Sequence, residues 1–204
     1  RSRPETLFVV DESYLPFAGR SDRESMMNYE MDNVVVLHSM SKIFSIPGLR
    51  IGFLISSPAI VNRIRPHLLP WSVNALAQAA VTYLMNKKVE TDAFIKQSIL
   101  FIENEKRRMA ECLTGAMAMQ LFRSSTSFLL ARLWGQLTAD SVCGALLNNR
   151  ILIRDCSNFI GLSSRYIRVS IKTAGANERA ALELLNIDRR ASADHTSTDR
   201  KAAR

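Results

Sequence analysis

Ser39-Met40-Ser41-Lys42 and, a short way on, Gly48-Leu49-Arg50-Ile51-Gly52 gather an amine, several hydroxyls and a guanidinium into one glycine-bearing loop. A lysine in that company either holds a phosphate as a charge or, when neutral, attacks a carbonyl carbon as an amine nucleophile. The nucleotide-phosphate version of the first role needs Gly-x4-Gly-Lys-Ser/Thr, which this loop lacks. The nucleophile fits better. It requires the uncharged amine, which desolvation by flanking strand ends and a neighbouring Arg50 would favour. Ser39, Ser41 and Arg50 then form a plausible cradle for a separate phosphate, with hydroxyl donors and a forked guanidinium around one anion.

A second group of chemical residues is Asp11-Glu12-Ser13-Tyr14. A carboxylate such as Asp11 at a strand end can keep a pyridine nitrogen protonated and turn the ring into an electron sink. Alone, Asp11 would read as a turn cap. With Tyr14 close behind it and Lys42 at a second strand end, a carboxylate, a phenol and an amine have the means to converge. His38 borders the loop and reads as a packed histidine without catalytic work.

These residues need strand ends to hold them. Residues 6–10, 34–37 and 51–55 are short apolar or β-branched runs of the type found in buried parallel strands, so the lysine loop lies at the sheet edge where ligands bind in open α/β folds. Pro47-Gly48 fits the centre of a type II turn, with the positive φ on glycine. Ser57-Pro58 reads as an N-cap and first residue of a helix to about residue 64. Residues 73–85 form an apolar, alanine-rich helix expected to be buried, and 91–118 a long amphipathic one. Strands at 119–122, 128–133, 151–153 and 166–171, with helices at 138–148 and 176–186, complete a small α+β domain.

The 204 residues are 47% hydrophobic, and no apolar run approaches the roughly 18 residues that span a bilayer. With no signal-peptide layout at the start, the expectation is a cytoplasmic protein. Cys112, Cys143 and Cys156 are odd in number and lack histidines at ligand spacing, so neither disulfides nor a metal site is expected. The net charge of +8 is scattered; Lys106-Arg107-Arg108 reads as a solvated helix face, and neither nucleic acid nor a membrane is expected as a partner. Residues 1–88 make one domain, 89–187 a second that begins in the long helix, and 188–204, without apolar period, a disordered tail.

In their order and spacing, the three motifs around Asp11, Lys42 and Arg50 resemble those of the class I/II aminotransferases, the fold type I pyridoxal-phosphate enzymes. The resemblance implies the C-terminal half of the large parallel-sheet domain of that fold, followed by its small α+β domain. It implies pyridoxal 5'-phosphate as cofactor, with Lys42 joined to the aldehyde, Asp11 at the ring nitrogen, Tyr14 near the ring hydroxyl, and Ser39, Ser41 and Arg50 at the phosphate. A homodimer is also implied. Within that superfamily the run Ile153-Arg154-Asp155-Cys156-Ser157-Asn158-Phe159 and then Tyr166-Ile167-Arg168-Val169 resemble the threonine-phosphate decarboxylases of cobalamin biosynthesis and, next, the histidinol-phosphate aminotransferases. By that likeness Arg168 grips the carboxylate of a small phosphorylated amino-acid substrate and Arg154 makes a second anion contact. The likeness spans residues 6–186 and only the latter half to two-thirds of the family fold, so this chain alone is expected to bind cofactor weakly. The contrasting expectation is a non-catalytic regulatory fragment of the same fold.

Overall fold

The computed structural model describes Arg3, residues 5–19 and residues 21–202, the side chains of 21–22 and 194–202 excepted. The chain divides between Leu100 and Phe101 into two compact units. That division falls inside the long helix, not ahead of it as expected from the sequence.

The first unit carries β1 (Phe8–Asp11), α1 (Ser21–Glu24), β2 (Val34–Ser39), α2 (Met40–Ile43), β3 (Gly52–Ile55), α3 (Pro58–Ile64), α4 (Ala75–Asn86) and the start of α5 (Lys88–Cys112). β1 and β2 are parallel, with Asp11 opposite Leu37, so the two strands end together. β3 returns antiparallel to β2, which corrects the all-parallel expectation: residues 40–51 between them hold only the four-residue α2 and a single 3-10 turn, with no helix long enough to cross back over the sheet. Val34, Val35 and Val36 fill the interior with Phe17, Met40 and Ile43. The expected burial of β1 is not found, since Phe8 and Val9 are exposed where, among the described residues, only β2 pairs with the strand. α4 corrects the sequence in the same way. Only Ala77 is buried along it, while Leu76 is 73% exposed, because no described element covers that face. Ser57 precedes α3 as expected, but its hydroxyl donates to the Asp32 carbonyl at 3.2 Å and makes no cap bond.

The second unit contains the rest of α5, β4 (Met119–Leu121), β5 (Phe128–Leu133), α6 (Ala139–Asn148), β6 (Arg154–Asp155), β7 (Tyr166–Ser170) and α7 (Ala174–Ala202). Its four strands form an antiparallel sheet in the order β4-β5-β7-β6. The strand expected at 151–153 lies at Arg154–Asp155, where the pairing with β7 begins. Leu129, Ala131, Leu133, Ile167 and Val169 face one way and pack with Val142, Leu146, Ala181 and Leu184 of the helices. Period-two burial on β5 and β7 therefore sends the intervening residues, Arg168 among them, to the opposite face.

Where disorder was expected from residue 188 onward, α7 runs on to Ala202. Buried Asp188 accepts hydrogen bonds from the amides of Met117 at 3.0 Å and Ala118 at 2.7 Å. Ala191 packs on the core and Ser192 donates to the Asp188 carbonyl. A helix nucleated and anchored there propagates at little further cost. Arg204 lies outside the described residues.

Cys156 is buried and Cys143 half-buried, and burial pushes both thiols up from their ordinary range. Alkylation of these two cysteines near neutral pH is expected to be slow in the folded protein and fast in denaturant, which mass spectrometry of timed iodoacetamide reactions would show.

Candidate functional site in two parts

In the first unit the chemical residues sit where the parallel strands stop. Asp11 ends β1, and the Glu12 amide donates to the Leu37 carbonyl at 2.8 Å, carrying the ladder one residue further. The chain then turns, and consecutive carboxylates diverge. Glu12 is buried, accepting from the Ser25 hydroxyl and the Met26 amide, each at 2.6 Å. Asp11 is exposed, and its Oδ1 accepts from the Ser13 amide at 2.9 Å and the Ser13 hydroxyl at 2.5 Å. The hydroxyl bond, then the amide bond, and more weakly the charge of Lys42 hold the Asp11 carboxyl below the usual carboxylate range. Stability from these bonds is complete above the ordinary aspartate range and is lost as pH falls through the lowered value. Acid titration of the Asp11 carboxyl by NMR should therefore find it charged at a pH where ordinary aspartates are already protonated.

Ser39 closes β2 and caps α2, its hydroxyl accepting from the Ser41 amide at 3.2 Å. This short helix presents Lys42, whose Nζ stands 5.9 Å from the centroid of the Tyr14 ring. The electrostatic coupling to Asp11 brings three of the expected residues together, Asp11, Tyr14 and Lys42. Lys42 is exposed, so the desolvation expected from the strand ends is not supplied by the described residues. Ser41 is buried beneath the turn, while Ser39 is half-buried and Arg50 exposed.

The type II turn expected at Pro47-Gly48 is a single 3-10 turn, Pro47–Leu49. The positive φ falls instead on Ser45 (54°) and Arg50 (53°), and the Arg50 guanidinium donates back to the Pro47 carbonyl at 3.1 Å. Holding two non-glycine residues in the left-handed region costs on the order of 1–3 kcal/mol each, an expense associated with sites that fix a side chain. The glycine that matters sterically is Gly52. A Cβ there would lie 2.8 Å from the His38 carbonyl oxygen. Gly52→Ala is therefore expected to lower stability by about 1–3 kcal/mol, read from the shift of the urea midpoint.

In the second unit Arg154 and Arg168 are direct partners across β6 and β7. The Arg168 guanidinium lies 4.8 Å from the Phe128 ring centroid, with its Nε buried and without a hydrogen-bond partner. Arg154 donates to Asn158 Oδ1 at 2.9 Å and stands 5.4 Å from the Phe159 ring. Among the described residues neither is in an ion pair. Two neighbouring guanidiniums held by aromatic rings and an amide, with no carboxylate at ion-pair distance among the described residues, suit one dianion or two anionic groups.

Glu12, Ser13 and Asn158 stand in the motifs read from the sequence without a role there, and Phe128 is not among them. The spacing of Asp11 and Ser13 fits an Asx turn, and Arg154 with Asn158 falls four residues apart, but neither spacing states what the side chain holds.

The sequence signature of aminotransferase class I and II matches residues 2–184. The threonine-phosphate decarboxylase of Salmonella typhimurium is 32% identical over 180 residues, covering 88% of this chain and 48% of that protein. The solved histidinol-phosphate aminotransferase of Clostridium acetobutylicum superposes with a TM-score of 0.80 at 26% identity, over 90% of this chain and 55% of that one. The L-threonine-O-3-phosphate decarboxylase of Porphyromonas gingivalis gives 0.75 at 28% identity, over 91% and 56%. The chain thus spans about half the length of these relatives, and its two units carry the corresponding half of the fold type I transferase fold. With residues 2–184 under one family signature, the chain belongs to the class I and II aminotransferases.

Proposed function

We propose that this chain is the lysine-bearing part of a pyridoxal-phosphate enzyme that decarboxylates L-threonine O-3-phosphate to aminopropanol phosphate. The observation that supports it most is the grouping of the Lys42 amine, the Tyr14 ring and a carboxylate that stays ionised at Asp11. These donors suit a protonated pyridine bearing an aldehyde and a ring hydroxyl. Lys42 takes the aldehyde, Asp11 the ring nitrogen, Tyr14 the ring hydroxyl, and Ser39 and Arg50 the phosphate, with Ser41 beneath them. When bound, the cofactor supplies an electron-withdrawing ring that weakens the bonds to the substrate's α-carbon.

The protein's own groups do the remaining work. The Asp11 carboxylate keeps the ring nitrogen protonated, and the Tyr14 hydroxyl orients the ring. Loss of carbon dioxide leaves the α-carbon in need of a proton, and Lys42 Nζ carries it there. In the second unit Arg168 takes the substrate carboxylate, and Arg154, turned by Asn158, takes the second anion. The adjacency of these two unneutralised cations favours a substrate with both a carboxylate and a phosphate. A second copy of the protein, acting with it in the cytoplasm, belongs to the same proposal.

Transfer of an amino group to imidazole-acetol phosphate is the second reading, favoured by the superposition on the Clostridium enzyme. Supplying the whole protein with L-threonine O-3-phosphate should release carbon dioxide without an amino acceptor. Glutamate-dependent formation of histidinol phosphate, with no carbon dioxide released, would decide for the second reading.

A further inference from the structure

We propose that Ser13 is a positioning residue that fixes the Asp11 carboxyl group so that only Oδ2 is presented to the cofactor's ring nitrogen. The inference rests on the pyridoxal-phosphate reading above. Its basis is the way the donors are distributed. Both Ser13 bonds, from amide and hydroxyl, end on Oδ1. A protonated ring nitrogen has a single N–H and needs a single oxygen, so a carboxylate with one oxygen already occupied by two donors is oriented before the cofactor arrives.

The turn is held rigidly enough for this to matter. Next to Asp11, Glu12 is fastened on four sides: its amide to the Leu37 carbonyl, its carbonyl to the Leu15 amide, and its two carboxylate oxygens to Ser25 and Met26. The backbone therefore has little freedom to let the Asp11 side chain rotate. The charged group facing Asp11 from a neighbouring element is Lys42 on α2; on its own turn stand the Tyr14 phenol and the averted Glu12 carboxylate. Lys42 would be engaged in holding the cofactor's aldehyde. Ser13, by contrast, is a neutral donor within the same turn, so its two bonds to Asp11 Oδ1 do not depend on what Lys42 holds.

Any residue but proline at position 13 retains the amide bond, so the hydroxyl is what distinguishes this role from that of an ordinary turn residue. Two variants of the full chain isolate it: Ser13→Ala removes the hydroxyl, and Ser13→Thr keeps one. In unloaded protein, NMR titration of the Asp11 carboxyl should show an upward shift of the midpoint in Ser13→Ala and restoration in Ser13→Thr. In protein loaded with pyridoxal phosphate, the pH midpoint of the cofactor absorbance should move in Ser13→Ala and return in Ser13→Thr. Retention of the cofactor on dialysis should fall about tenfold in Ser13→Ala, as for loss of one hydrogen bond to a charged group. An Asp11 midpoint unchanged in folded Ser13→Ala protein that still takes up cofactor would overturn the role of Ser13 alone. Failure of the unaltered protein to take up pyridoxal phosphate would instead overturn the functional reading beneath it, whatever the Asp11 titration shows.

Discussion

Lys42→Ala is expected to reduce turnover of the whole protein by about 10²- to 10⁴-fold, the range associated with loss of a positioned proton-transfer group. The loss should fall mainly on kcat, because the residues proposed to bind the cofactor phosphate and the substrate anions are untouched. Lys42→Arg separates the two roles open to this lysine. If the side chain only held a phosphate by its charge, arginine would preserve much of the activity, since a guanidinium binds phosphate at least as well as an ammonium. If the amine must attack an aldehyde and return a proton, arginine fails almost as badly as alanine, because it does not deprotonate. The second outcome is expected. Steady-state kinetics on both variants, with cofactor content measured alongside, would check it.

The largest expected effect on stability is at Ile167. This fully buried residue lies in β7, with Ala131 of β5 on one side and Asp155 of β6 on the other, and it belongs to the single large core of the second unit. Ile167→Ala should cost about 2–5 kcal/mol, through lost burial and the cavity left among side chains held by a sheet and three helices. That is a large part of the ordinary stability of a domain of this size. The effect should reach the site as well, because Ile167 immediately precedes Arg168 and pairs with the neighbour of Arg154. Urea unfolding would read the loss, and KM for the phosphorylated substrate should rise in molecules that remain folded. An unchanged urea midpoint would contradict the packing described for this sheet.

Much of this was legible in the sequence because strand ends and chemical residues are adjacent along the chain. Asp11 follows directly on one apolar run and Ser39 on another, so parallel pairing of these runs was enough to bring Asp11 and Lys42 together. Arg168 was named from the sequence by family likeness alone, and the period-two burial of β5 and β7 is what puts it on the face away from the core. What could not be read depends on groups distant in sequence or on absent neighbours. The antiparallel course of β3 follows from a connection whose helical part is too short for a crossover, and glycine at position 48 gave the wrong location for the positive φ, which lies at Ser45 and Arg50. The apolar pattern of α4 implied burial, yet a pattern states only that a face can be covered, and here Leu76 and Tyr83 are exposed. Beyond Asp188 composition implied disorder, whereas amides about seventy residues earlier, at Met117 and Ala118, anchor the helix at that carboxylate.

The central claim is that Lys42 is the residue joined to the cofactor. Borohydride reduction of the whole protein after incubation with pyridoxal phosphate, followed by proteolysis and mass spectrometry, tests it most directly. The account expects a single stoichiometric pyridoxyl modification on the peptide containing Lys42, absent in Lys42→Ala. A modification spread over surface lysines, or fixed on another lysine while position 42 remains unlabelled, would contradict it.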